Sequence, residues 1–370
     1  MSDTFTTRPE IRGTMGVVSS THWLASQTAM GVLERGGNAF DAVVAGGFVL
    51  QIVEPHLNGP GGEVPLLFWS NDEKRMRGLC GQGGAPELAT IEYFRGLGLS
   101  QIPGIGLLPA CVPGAFGAWL TLLRDYGTWE LADVLAPAIE YAAQGFPIVP
   151  RVSASILAVA PLFRDEWATS ARVWLPDGKI PRPDRLFRSP AIARTYTRII
   201  EQAQGKGSDR VARLNAALDA WYRGFVADEI DAFYREQRIW DTTGERNAGL
   251  LRKSDLAEWA PSYEDPLTVD YGRYTVAKCG TWSQGAVHLQ QLAMLRELRV
   301  EEKDPLSAAF VHTIAESAKL AFADRAAWYG DPAHASVPIK HLLSQEYAKE
   351  RAALISAEAS RGLRPGSPRG

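Results

Sequence analysis

Cysteine is scarce and dispersed in this sequence: Cys80, Cys111 and Cys279 are the only three among 370 residues, with no Cys-x-x-Cys pair. That spacing excludes a zinc ribbon or a disulfide framework and points to a reducing compartment. Histidine is no better placed for metal chemistry. His22, His56, His288, His312, His334 and His341 form no His-x-x-x-His or Glu-x-x-His pair, so each reads as a structural or surface side chain. Neither sign of charge dominates either. The 39 Lys and Arg against 42 Asp and Glu leave a formal net charge of −3, without the electrostatic footprint of a nucleic-acid or anionic-membrane binder. No apolar run is long enough to span a bilayer, and residues 1–10 contain no signal core, so the expected location is the cytoplasm. A Gly-x-Ser-x-Gly elbow is missing, and Gly59-Pro-Gly-Gly62 lacks the Gly-Lys-Ser/Thr ending of a phosphate loop.

What remains is an ordinary globular composition, 46% hydrophobic and 22% charged, long enough for one large domain or two closely packed ones. Met15–Ser19 reads as a buried β-branched strand, and a helix follows from about Leu24 to Arg35 with Ala25, Thr28, Ala29, Val32 and Leu33 on its core face. Gly36-Gly37 suits the left-handed position after a helix end. Asn38 is then an N-cap, and Asp41 sits at the positive end of a new helix. On that helix Phe40, Val43, Val44 and Gly47 share a face, with Ala42, Ala45 and Gly46 thin enough for close packing. Val64–Trp69 and Met76–Cys80 read as a strand pair around a polar turn, and Pro86–Arg95 as a helix. Further helices are expected from Phe116 and over Leu131–Gln144, followed by a mainly helical stretch over Pro150–Asp241. Leu267–Cys279 has strand character, and Asp304-Pro305 cap a long helix with Ala309, Phe310, Ile314, Ser317 and Ala321 on one face. Strands between packed helices define a layered α/β chain.

No nucleophile is legible in these residues. Cys111, beside a turn, is a formal candidate, although a small buried apolar role suits it better. The Gly59–Gly62 turn reads as tight packing before ligand contact.

Several segments nonetheless resemble the large subunit of the gamma-glutamyltransferase family, a branch of the N-terminal-nucleophile hydrolases. They are Glu34-Arg-Gly-Gly-Asn-Ala-Phe-Asp41 with Val53-Glu-Pro-His-Leu-Asn-Gly-Pro-Gly-Gly62, Ala110-Cys-Val-Pro-Gly-Ala-Phe-Gly-Ala118, Leu250–Ala257, and His312–Arg325 with Tyr329-Gly-Asp-Pro332. The resemblance extends over about residues 13 to 358 and is poorest over residues 152 to 220. It implies an αββα sandwich, of which this chain supplies the large-subunit portion with extra peripheral helices. Residues 1–360 would form a single domain, and residues 361–370 a flexible tail before the processing site, since only Leu363 there is core-forming. Family members cut themselves before a threonine that becomes nucleophile and base of the small subunit. The catalytic residue is therefore expected on that partner, with an amide as substrate and no metal or organic cofactor. A dimer of large–small pairs is compatible with this reading, and a catalytically inactive scaffold is the alternative.

Gln82 and Gly83 are the substrate-binding candidates of this chain. Gln82 stands shortly before Ala85-Pro86, where the family's arginine grips the α-carboxylate of the glutamyl group. Arg77, five residues earlier, falls on the opposite face of an unbulged strand. Charge-assisted bonds contribute about 1.5–3 kcal/mol and neutral ones about 0.5–1.5, so Gln82 argues for a non-glutamyl acyl group, such as a cephalosporin side chain or a small oxo- or dicarboxylic amide. A second departure is Cys279-Gly-Thr-Trp-Ser-Gln-Gly285, where Trp282 reads as packing. Gln82→Arg is expected to raise kcat/KM for a γ-glutamyl anilide roughly tenfold. A wild-type rate already equal to the variant's would remove the inference from Gln82.

Overall fold

The computed structural model describes residues 10–183 and 185–368. Helices α1 (Trp23–Glu34) and α2 (Ala39–Val53) come first, followed by strands β1 (Val64–Ser70) and β2 (Arg75–Gly81). Next are α3 (Ile91–Gly96), α4 (Ala115–Tyr126), α5 (Leu131–Gln144) and the short β3 (Phe146–Pro147). The helical middle comprises α6 (Pro150–Asp165), α7 (Ala168–Trp174), β4 (Leu186–Phe187), α8 (Pro190–Gln204), α9 (Arg210–Tyr222) and α10 (Phe225–Glu236). β5 (Ile239–Trp240), β6 (Arg246–Asn247), α11 (Lys253–Glu258) and β7 (Ser262–Glu264) follow. The remainder is the hairpin β8 (Leu267–Tyr271) and β9 (Tyr274–Lys278), then α12 (Gly285–Glu297), α13 (Ala308–Trp328), α14 (Ile339–Leu342) and α15 (Gln345–Ala352). These elements divide into two compact units, residues up to Val64 with Gly81–Pro261, and Pro65–Cys80 with the residues from Ser262 onward. Among the described residues no helix is long and apolar enough to cross a membrane.

The first unit is built around α2, which packs on α1, α4 and α5. Small residues permit that density. A β-carbon on Gly46 would stand 3.3 Å from the Ala29 β-carbon, and one on Gly47 would lie 2.5 Å from the Trp119 ring. Phe48 reaches across to Phe116 and Tyr196 at ring-centroid distances of 5.9 and 5.6 Å. Of the residues expected to share a face, Val44 and Gly47 are buried and Val43 is exposed; Ala45, Phe48 and Val49 are buried as well.

The junction before α2 follows the expected pattern and adds a partner. Gly36 has φ +87°, and Asn38 Oδ1 accepts hydrogen bonds from the Phe40 and Asp41 amides at 2.8 and 3.0 Å. Asp41 is fully buried, and its carboxylate accepts from the Asn38 amide at 2.9 Å. It also accepts from the Thr128 amide (2.8 Å), the Thr128 hydroxyl (2.8 Å) and the Trp129 amide (3.0 Å). One aspartate thus satisfies the helix start and fastens the turn between α4 and α5, which lies far away in sequence.

In the second unit β1, β2 and β7 form a sheet, with β2 and β7 antiparallel through Gly78↔Glu264, Leu79↔Tyr263 and Cys80↔Ser262. The strand character over Leu267–Cys279 belongs to a hairpin, with Gly272 at φ +60° in its turn. Val269, Leu289, Met294, Leu320 and Ala321 form a core where β8, α12 and α13 meet. The cap of α13 is Ser307, whose hydroxyl accepts from the Phe310 amide at 3.1 Å. Asp304 instead closes the preceding turn by accepting from Leu306 N at 3.0 Å. The buried face includes Ser317 and Ala321, as expected, together with Thr313, Glu316, Leu320 and Asp324, whereas Ala309 is exposed.

Two other sequence expectations change. Met15–Ser19 is not a strand: Met15 and Val17 are exposed, and its amides make no backbone hydrogen bond among the described residues, since β-propensity without a neighbouring strand forms no ladder. The helix expected from Pro86 begins only at Ile91, because Ala89 N closes a turn on Pro86 O (2.9 Å) and the Thr90 hydroxyl caps Tyr93 N (3.1 Å).

The C-terminal segment is tied down by polar groups. Buried Asp324 pairs with buried Arg351 at 3.1 Å and accepts from the Tyr347 hydroxyl at 3.0 Å and the Gly366 amide at 2.7 Å. Arg364 Nη2 donates to Glu316 at 2.9 Å, and Trp328 Nε1 donates to Gly366 O at 3.0 Å. Leu363, the apolar residue there, is 80% exposed, so its hydrophobicity carried no information about the attachment. Residues 369 and 370 of the expected tail lie outside the described residues.

Asp41→Ala leaves three amides and a hydroxyl without the buried acceptor they share, and is expected to cost about 3 kcal/mol. A urea midpoint within error of the wild type would show that the turn is not held this way.

Candidate functional site

Gln82 and Gly83 lie directly after β2, where three glycine-containing segments of the first unit interlock. The Val112 amide donates to Gly84 O at 3.0 Å, and the Ala115 amide donates to Gly62 O at 2.9 Å. Gly83 passes so close to this crossing that a β-carbon would lie 1.7 Å from Val112 O. The same holds at Gly114, whose β-carbon would lie 2.1 Å from Gly81 O. Such backbone-on-backbone approach is open only to glycine.

The crossing is held from outside by Tyr222 at the end of α9. Its hydroxyl accepts from the Gly117 amide at 3.0 Å and donates to Pro113 O at 2.8 Å, and its ring packs against Trp259 with centroids 5.3 Å apart. Burial pushes this phenol's pKa upward, so it stays protonated and keeps its donor role. On the other side, Asp255 accepts from the Glu87 and Arg252 amides at 2.9 and 2.7 Å, fixing the loop's exit to the start of α11. Sequence reasoning missed Tyr222 and Asp255, because neither lies near Gln82 in the chain.

This frame presents Gln82 to solvent. Its amide makes no hydrogen bond among the described residues, whereas Gly83 serves as a packing element in the loop. Arg77 does not stand in for the arginine of the family pattern. It pairs with Glu73 at 2.6 Å, and its guanidinium lies 4.9 Å from the Tyr263 ring centroid. Trp282 is held within the second unit, its Nε1 donating to Glu264 at 2.8 Å beside the Gly280 amide bound to the same carboxylate at 2.8 Å. Cys111 is exposed, but its thiol pKa is raised, by desolvation first and the Glu63 charge second. That shift is opposite to what activates a nucleophilic thiol.

Comparisons with known proteins bear on the fold and the family. The solved structure of LmbA2991HD superposes with TM-score 0.91 at 52% identity, over 98% of this chain and 61% of that one. The cephalosporin acylase from Bacillus halodurans superposes with TM-score 0.81 at 32% identity, over 100% of this chain and 65% of that one. The glutathione hydrolase-like YwrD proenzyme of Bacillus subtilis (strain 168) is 31% identical over 347 residues, 92% of this chain and 60% of the relative. The fold is accordingly that of the N-terminal-nucleophile hydrolases. More narrowly, the chain belongs to the gamma-glutamyltranspeptidase family, whose model matches residues 25–368. It spans 55 to 61% of the length of the first three curated relatives.

Gly83→Ala is expected to lose about 2 kcal/mol or more, since its β-carbon meets a backbone carbonyl that cannot move alone. Gly84→Ala, whose β-carbon meets nothing within 4 Å, stays within about 0.5 kcal/mol of the wild type. Equal denaturation midpoints for the two variants would rule out the close approach at residue 83.

Proposed function

We propose that this chain is the large chain of an autoprocessed amide-cleaving enzyme, an amidohydrolase or acyltransferase whose threonine nucleophile opens a small chain made from the same precursor. The observation that carries the reading is the family match over residues 25–368 on a chain that spans only part of its relatives, several of them named as proenzymes. In this chemistry the threonine hydroxyl adds to the amide carbonyl while its proton passes to the threonine's own amine. The carbon–nitrogen bond then breaks, the amine leaves with that proton, and an ester to the threonine remains. Water or an acceptor amine attacks the ester, and the hydroxyl is restored.

The role of this chain is to shape the acyl end of the substrate. Exposed Gln82 on a loop fixed by Gly83, Val112 and Tyr222 supports an acyl group that does not depend on an ion pair at residue 82. A non-glutamyl amide is therefore the substrate class, in keeping with relatives that include acylases as well as glutathione hydrolases. The three dispersed cysteines support a cytoplasmic setting.

Incubation of the two-chain protein with an amide-derived inactivator should add one acyl mass to the small chain, at its first residue. Labelling of this chain, or of neither chain, would count against the threonine mechanism.

A further inference from the structure

Strands β1 and β2 are neighbours in their sheet and are joined by only the residues between Ser70 and Arg75, so they run antiparallel. β1 begins at Val64 and β2 ends at Gly81, and a β-carbon on Gly81 would lie 2.6 Å from Val64 O. These two ends therefore meet. One residue beyond each end, at the same end of the hairpin, are Glu63 and Gln82. Both are exposed, and Glu63 has no ion-pair partner among the described residues. The residue before Glu63 and the loop after Gln82 converge on the same crossing, through Gly62 O to the Ala115 amide and Gly84 O to the Val112 amide. An independent sign that the Glu63 charge reaches this place is its contribution to raising the thiol pKa of Cys111, the residue before Val112.

A carboxylate at this position changes what Gln82 means. Replacing a guanidinium with an amide removes attraction for a carboxylate. An unpaired carboxylate at the adjoining strand end adds repulsion, and it favours an ammonium group instead. Resting on the amide-cleaving reading above, we propose that Glu63 is a second specificity-determining residue, acting with Gln82 to select acyl groups that carry no carboxylate, with amine-bearing ones preferred to neutral ones. Of the acyl classes left open by Gln82 alone, the dicarboxylic amides are thereby disfavoured.

The test compares the two-chain protein and its Glu63→Gln variant on four anilides of matched length: butanoyl, 4-aminobutanoyl, glutaryl and γ-glutamyl. The wild type should favour 4-aminobutanoyl over glutaryl. Loss of one exposed charge should shrink that ratio of kcat/KM by roughly five- to tenfold at low salt. The change should lie in KM and fade as ionic strength rises, which a structural defect would not reproduce. A wild type that cleaves the anilides without regard to their charge, or a ratio unchanged in Glu63→Gln, overturns this inference and leaves the amide-cleaving reading standing. A wild type that cleaves none of the four overturns both.

Discussion

The carbonyl of Val112 occupies the space that a side chain on residue 83 would need. That single exclusion organises the candidate site. It requires glycine at 83 and lets the Val112 amide reach Gly84 O, and it turns the chain so that Gln82 projects outward. Tyr222 holds the other side of the crossing through Pro113 and Gly117, so a residue of the helical middle sets the shape of a loop more than a hundred positions away. Close backbone contact of this kind tolerates little adjustment, because neither partner has a flexible side chain to rotate away.

Buried carboxylates organise the remainder of each unit. Asp41 in the first unit and Asp324 in the second are both fully buried, and each gathers donors from distant segments. A buried charge is costly unless fully satisfied, so such residues specify geometry more sharply than apolar packing does. Glu316 plays a related part by accepting from Arg364, which helps fix the last described residues against α13.

Membership of the gamma-glutamyltranspeptidase family accounts for the absence of a legible nucleophile, since the proposed chemistry begins on a threonine of another chain. In the proposed reading this chain contributes selection: Gln82 and Glu63 would give the hairpin end an electrostatic character opposite to that of an arginine site, separating recognition of the acyl end from the bond-breaking step.

The sequence by itself determined most helices, the junction at Gly36-Gly37-Asn38, the first hairpin and the family, because these depend on local periodicity, capping and glycine placement. Only the tertiary structure decided the rest. Met15–Ser19 lacks a neighbouring strand, Ser307 outcompetes Asp304 as the cap of α13, Val43 faces outward, and residues 364–366 are held by hydrogen bonds to distant carboxylates and side chains. Glu63 gains its significance in the same way. The strand pair is legible in the sequence, but the meeting of its two ends, which brings residues 63 and 82 together, is a tertiary relation.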